Sequence, residues 1–160
     1  MRYPLRAVAA LTLLLAPIAS RASAQAGAEV LNNESIISMV TGKVAKDLIV
    51  SKIKSTKSTF DLSPEGLIKL NTAKVSSDVI KLMLTTAGAA NGNKETLTNE
   101  GIIKMAVGGL SRDVIVTKIS LSKPGYDLTT NGLLDLTKNK VSTDVQKAMM
   151  ASASGAPVKP

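Results

Sequence analysis

From Leu31 onward the apolar residues recur at three- and four-residue steps, in short stretches punctuated by Gly, Ser, Asn and Thr, a pattern of short amphipathic helices. Ile36, Ile37 and Val40 make one apolar face, and Leu48, Ile49 and Ile53 make the next, with Val44 between them. The whole arrangement then repeats. Residues 31–86 align without a gap on residues 97–152 at an offset of 66, with 25 of 56 positions identical. A shorter period lies inside each copy: sliding Leu31 onto Leu62, or Leu97 onto Leu128, superposes Glu34 on Glu65, Val44 on Val75 and Asp47 on Asp78. The chain therefore reads as four units, starting at Leu31, Leu62, Leu97 and Leu128, each predicted to be a hairpin of two helices.

The start signals are consistent from unit to unit. Asn32, Ser63, Thr98 and Thr129 are N-cap residues whose side-chain oxygen can accept a free backbone N–H. Pro64 falls at a first helical position, and Glu34, Glu65 and Glu100 fall in first turns, where the helix dipole favours an anion; Asn131 departs from this. The Leu before each cap and Ile36, Leu67, Ile102 or Leu133 within the helix have the spacing of a hydrophobic staple. Gly42, Gly108 and Asn139 are expected to close the first helix in a left-handed conformation, with Ala73 the exception. Ser76, Ser111 and Ser142 are expected to cap the second helix, with Ala45 the exception, and Asp47, Asp78, Asp113 and Asp144 to sit in its first turn in a local, dipole-compensating role.

Helices of about nine residues are too short to stand alone, so the hairpins must cover one another's apolar faces. The expected fold class is all-α: tandem helical hairpins, four units of two short helices, forming either two four-helix subdomains or one eight-helix body. The boundaries read as a signal peptide at 1–24, an N-terminal segment at 25–30, repeat pair 1 at 31–86, a small, polar, Gly- and Asn-rich linker at 87–96, repeat pair 2 at 97–152 and a disordered tail at 153–160. The leader has Arg2 and Arg6, an apolar run from Ala7 to Ala19, and small residues Ala22 and Ala24 before the expected cleavage site at Gln25. Its apolar run is short for a spanning helix, and no later segment reads as one. An exported protein, periplasmic or secreted, is the expectation.

Composition changes this picture in three ways. With 0 Cys there is no disulfide, so Ile, Val, Leu and Met must hold the fold in an oxidising compartment. The charge of +8 falls to +5 once the leader's three Arg are removed, since 20 − 3 = 17 cations face 12 acids. With 0 His and 0 Cys, the usual general base, thiol nucleophile and soft metal ligands are missing, so no catalytic residue, cofactor or metal site is assigned. Asp61 and Asp127 read as turn residues, and Phe60 and Tyr126 as plugs beneath the connection between hairpins. Lysines are the one recurring exposed feature. Lys43, Lys74 and Lys140 follow the first helix of three units and Lys52 matches Lys118; these five are the candidate contacts for an anionic polymer, lipopolysaccharide or nucleic acid, although the scarcity of aromatics disfavours nucleic acid.

The stretch L-[TN]-N-E-x-I-I-x-M at 31–39 and 97–105, then G-x-[VL]-x-x-D-[LV]-I-V from Gly42 and Gly108, then [FY]-D-L-[ST] from Phe60 and Tyr126, resembles a repeat of uncharacterised secreted or envelope-associated bacterial proteins. The single hairpin is more distantly similar to SHOCT-type oligomerisation modules, through Gly42–Asp47 and Gly108–Asp113. The resemblance implies a helical module used for assembly or contact. The expected function is accordingly non-enzymatic: protein–protein contact or self-assembly in the cell envelope, with anionic-polymer binding as the alternative.

Overall fold

The computed structural model of the chain describes residues 29–90 and 95–158. The leader at 1–24 and the centre of the 87–96 linker lie outside these residues. Eight helices follow in order: α1 (Asn33–Thr41), α2 (Lys46–Ser55), α3 (Pro64–Thr72), α4 (Ser77–Ala90), α5 (Asn99–Val107), α6 (Arg112–Leu121), α7 (Thr130–Lys138) and α8 (Thr143–Ala153). The fold is all-α, four helical hairpins in tandem. Helix α4 continues to Ala90 and so runs through the first residues of the expected linker. At the other end α8 reaches Ala153, and Val158 lies half-buried against the core beyond it.

All four predicted first caps form. The side chains of Asn32, Ser63, Thr98 and Thr129 accept from the backbone N–H of Ser35, Gly66, Gly101 and Gly132, each worth about 1 kcal/mol to a helix too short to persist unaided. The second caps are less regular. Ser142 accepts from Val145 N–H, whereas Ser111 makes no cap bond and its hydroxyl is buried without a partner.

The left-handed residue falls one position later than the sequence reading places it. Lys43, Lys74, Gly109 and Lys140 have φ of 58°, 63°, 74° and 59°, while Gly42, Ala73, Gly108 and Asn139 keep ordinary negative φ. The reason is the closing bond pattern. Lys43 N–H reaches Val40 O and Val44 N–H reaches back to Met39 O, and the same pair of bonds closes α3, α5 and α7. This is the Schellman arrangement, in which the residue after the cap takes the left-handed turn and the next one packs back on the helix. Val44, Val75, Leu110 and Val141 are those packing residues.

Between the paired hairpins the chain makes the same short parallel pairing in both halves, which the helical periodicity did not announce. Strand β1 (Thr96–Leu97) pairs with β2 (Lys123–Pro124), and 66 residues earlier Leu31 bridges Ser58. Asn33 clamps the same region, its amide donating to Asp61 O and accepting from Asp61 N–H; Asn99 does so with Asp127. Helix α3 starts so close to this turn that a Cβ on Gly66 would lie 2.4 Å from Asp61 O, and one on Gly132 would lie 2.2 Å from Asp127 O. Only glycine fits there.

The hairpins stack in two layers. The first helices lie in the order α1, α3, α5, α7 and the second in the order α2, α4, α6, α8, each packing on its neighbour, α3 on α5 and α4 on α6 included. The two sequence halves therefore join through both layers. A single apolar core runs from Leu31 and Ile36 to Val145 and Met149, and the central junction is fastened by Asn71 Nδ2 donating to Gly108 O at 3.1 Å and by Lys104 on Glu65 at 2.9 Å. Of the two arrangements the sequence left open, these contacts describe one continuous eight-helix body.

Candidate functional site

In a stack of equivalent units, each position that packs on a neighbour is covered everywhere except at an end. Three sets of positions behave this way. Val79, Val114 and Val145 are at most 2% exposed, whereas Leu48, their equivalent in the first unit, is 64% exposed. This position packs towards the preceding unit. Ile53, Leu84 and Ile119 are likewise buried, whereas Met150, their equivalent in the last unit, is 43% exposed, so this position packs towards the following unit. Leu134 on α7 is also open, while its equivalents Ile37, Ile68 and Ile103 are half-buried. The molecule thus presents two apolar ends: Leu48 with Val44 at the start of the stack, and Leu134 with Met150 at its finish.

The internal junctions show how such ends pack. Ile68 of α3 sits in a notch at the end of α5: a Cβ added to Gly108 would meet Ile68 Cγ1 at 2.7 Å. Gly108 was expected as a left-handed residue, and its structural reason is instead this close approach. Ion pairs cross two further junctions in register, Lys46 with Asp78 at 2.6 Å and Arg112 with Asp144 at 2.8 Å. Asp78 and Asp144 thus act beyond their own helix start. Lys46 holds the Asp78 carboxyl below its ordinary range, and Glu65 is held below its range by Lys104, whose own value is raised to about 12 by Glu65 and Glu100.

The five candidate lysines do not converge on one surface. Lys52 pairs with Glu29, and Lys118, its side chain only 7% exposed, pairs with Glu95 at 2.7 Å. Both lie towards the paired strands, each with a carboxylate beside it. Lys43, Lys74 and Lys140 are exposed at equivalent helix turns, and in the third unit Gly109 takes that place. The carboxylates Glu29 and Glu95 and the clamps Asn33 and Asn99 were not singled out by sequence reasoning. Their signal was available: each pair lies 66 residues apart.

Phe60 and Tyr126 are half-buried on the core. Burial pushes the Tyr126 phenol above its ordinary value, offset in part by Ser152, and the hydroxyl has no well-formed hydrogen bond. Thr129 holds the Asp127 carboxyl below its usual range, as suits a turn residue before a cap. A groove over α6 and α8 is lined by Arg112, Val116, Asp144, Lys147 and Ala148, with Val158 at its side. Among the described residues there is no group of three or more Asp or Glu placed to hold a metal ion, and no helix is long and apolar enough to cross a membrane. Comparison with protein families, curated proteins and solved structures gives no match.

Proposed function

We propose that this chain is an exported, non-enzymatic helical-repeat protein that acts by protein–protein contact or self-assembly in the cell envelope. The observation that carries the reading is the pair of open apolar ends, Leu48 at one and Leu134 with Met150 at the other. Terminal units of a stacked repeat ordinarily present a polar outer face, so apolar residues at both ends favour a contact role. The leader read from residues 1–24 supplies the location, and the absence of His and Cys from the sequence supports the non-enzymatic part. Chemical crosslinking in the producing cell's envelope, combined with size exclusion and light scattering of the purified chain, tests it. The expected result is a self-associated species or a specific crosslinked partner; a strict monomer with neither overturns the reading.

A second reading, anionic-polymer binding, is favoured by one feature. Lys43, Lys74 and Lys140 stand exposed at the equivalent turns of the first, second and fourth units, in a left-handed conformation that costs a non-glycine residue about 1 kcal/mol. Retention on heparin that survives physiological salt and falls when these three are changed to Gln is its expected signature. Elution at low ionic strength removes it.

A further inference from the structure

We propose that the occupant of each open end is the opposite end of a second copy of this chain, so that molecules stack head to tail. The inference rests on the contact reading above and deepens it by naming the partner. Its basis is that the two ends are the two halves of an interface the molecule already forms internally. The junction to match is the one between the second and third units, because a fourth unit followed by another copy's first unit repeats that order of sequence types. At the internal junction Ile68 enters the notch left by Gly108. At the ends the equivalent pair is Leu134, standing 51% exposed, and Gly42. Knob and notch are both retained where the described residues give neither a partner: a Cβ on Gly42 would meet only backbone of its own helix, at 3.1 Å from Ser38 O.

The second layer offers the same match. Leu84 and Val114 occupy the two buried positions on the facing sides of the internal junction, and Met150 and Leu48 are their equivalents at the open ends. At the position of the internal ion pair this register sets no like charges against each other. Where Glu65 meets Lys104 internally, the stacked copies would bring Asn131 to Ser38. The contact is heterologous, since one end meets the other rather than itself, and such a contact propagates into rings or filaments instead of stopping at a dimer.

The test uses the full chain, expressed with its own leader and purified after export, by light scattering and sedimentation over a range of concentrations. Wild type is expected to show species at two, three and more times the unit mass, growing with concentration. Leu48→Asp blocks one end and Met150→Asp the other, and because both residues are already exposed, each variant is expected to keep the wild-type helical melt while becoming monomeric. The distinguishing sample is their mixture. Leu48→Asp retains a good finishing end and Met150→Asp a good starting end, so together they are expected to form a one-to-one dimer and nothing larger. Leu134→Lys is a second variant expected to behave as Met150→Asp does. A wild-type monomer throughout the range overturns the stacking, as does association that survives both Asp variants, or a mixture that fails to dimerise. These failures leave the broader contact reading standing as long as envelope crosslinking retains a different partner, and that reading falls only when it retains none.

Discussion

Helices α2 and α6 are near-copies of one another, KDLIVSKI against RDVIVTKI, yet their surroundings are opposite. Helix α6 lies between α4 and α8 and buries Val114 through Ile119 without interruption, whereas among the described residues α2 has a neighbour in its layer on one side only and leaves Leu48 64% exposed. The same run of apolar and polar residues is buried in one place because two helices clamp it, and half of it is open in the other. Place in the stack, rather than residue type, decides what each side chain does. The comparison also separates residues that hold the body together from residues available to a partner.

The largest expected effect breaks that comparison at its core. Val114→Asp places a carboxylate where exposure is 1%, inside the apolar core between α4 and α8, and should cost about 4 kcal/mol or more. Leu48→Asp, at the equivalent position of α2, should change the stability of the monomer by less than about 0.5 kcal/mol. Urea unfolding followed by circular dichroism, at a concentration where the chain is monomeric, reads both. Equal losses would mean that the first unit is covered by something, and the two ends would no longer be comparable.

The second contrast concerns the notch. Gly108→Val forces a side chain against Ile68 and should destabilise by about 2 kcal/mol through overpacking, while Gly42→Val, whose Cβ would meet only the carbonyls of Ser38 and Met39 and no side chain, should cost less than about 1 kcal/mol. Pairing Gly108→Val with Ile68→Ala should recover part of the loss, which strain at a left-handed residue would not allow. A third contrast uses the matched lysines. Glu95→Gln leaves the Lys118 ammonium buried beside a neutral amide and should cost about 1–2 kcal/mol, whereas Glu29→Gln, beside the more exposed Lys52, should cost no more than a few tenths, about what a surface pair contributes.

Much of this architecture was legible because the capping grammar is local. Asn32, Ser63, Thr98 and Thr129 announce helix starts within three residues of the N–H groups they satisfy, and the apolar spacing sets which face is buried. The Schellman turn was legible only to within one residue, since Gly42 and Gly108 lie at the cap while the left-handed place is held in three of four units by lysine, a residue type that does not advertise it. What lies between distant segments was harder to read. The Asn33 and Asn99 clamps, the parallel pairing at Leu31 and Leu97, and the burial of Lys118 all depend on residues 23–28 positions apart meeting across the stack. The open ends were illegible from any one unit, because Leu48 and Val114 carry the same signal and differ only in having a neighbour.

The smallest expected effect concerns the ion pairs that cross the junctions, and pH reads it. The carboxyls of Asp78 and Glu65 are held below their ordinary range by Lys46 and Lys104, so the stabilisation they contribute is present above their unfolded values and is lost as pH falls through the lower folded ones. The Lys104 ammonium, raised to about 12, has the opposite sense: its contribution is complete below the ordinary lysine value and disappears as pH rises towards 12. These groups lie at the surface, so the losses are small and shrink further in salt. Lys46→Ala should return the Asp78 carboxyl towards its ordinary value in a carbon-detected NMR titration and leave Glu65, held by Lys104 at the central junction, unmoved. A joint shift of both carboxyls would mean that the first and central junctions communicate through the stack, and the independence of place on which the contrast between α2 and α6 depends would fail.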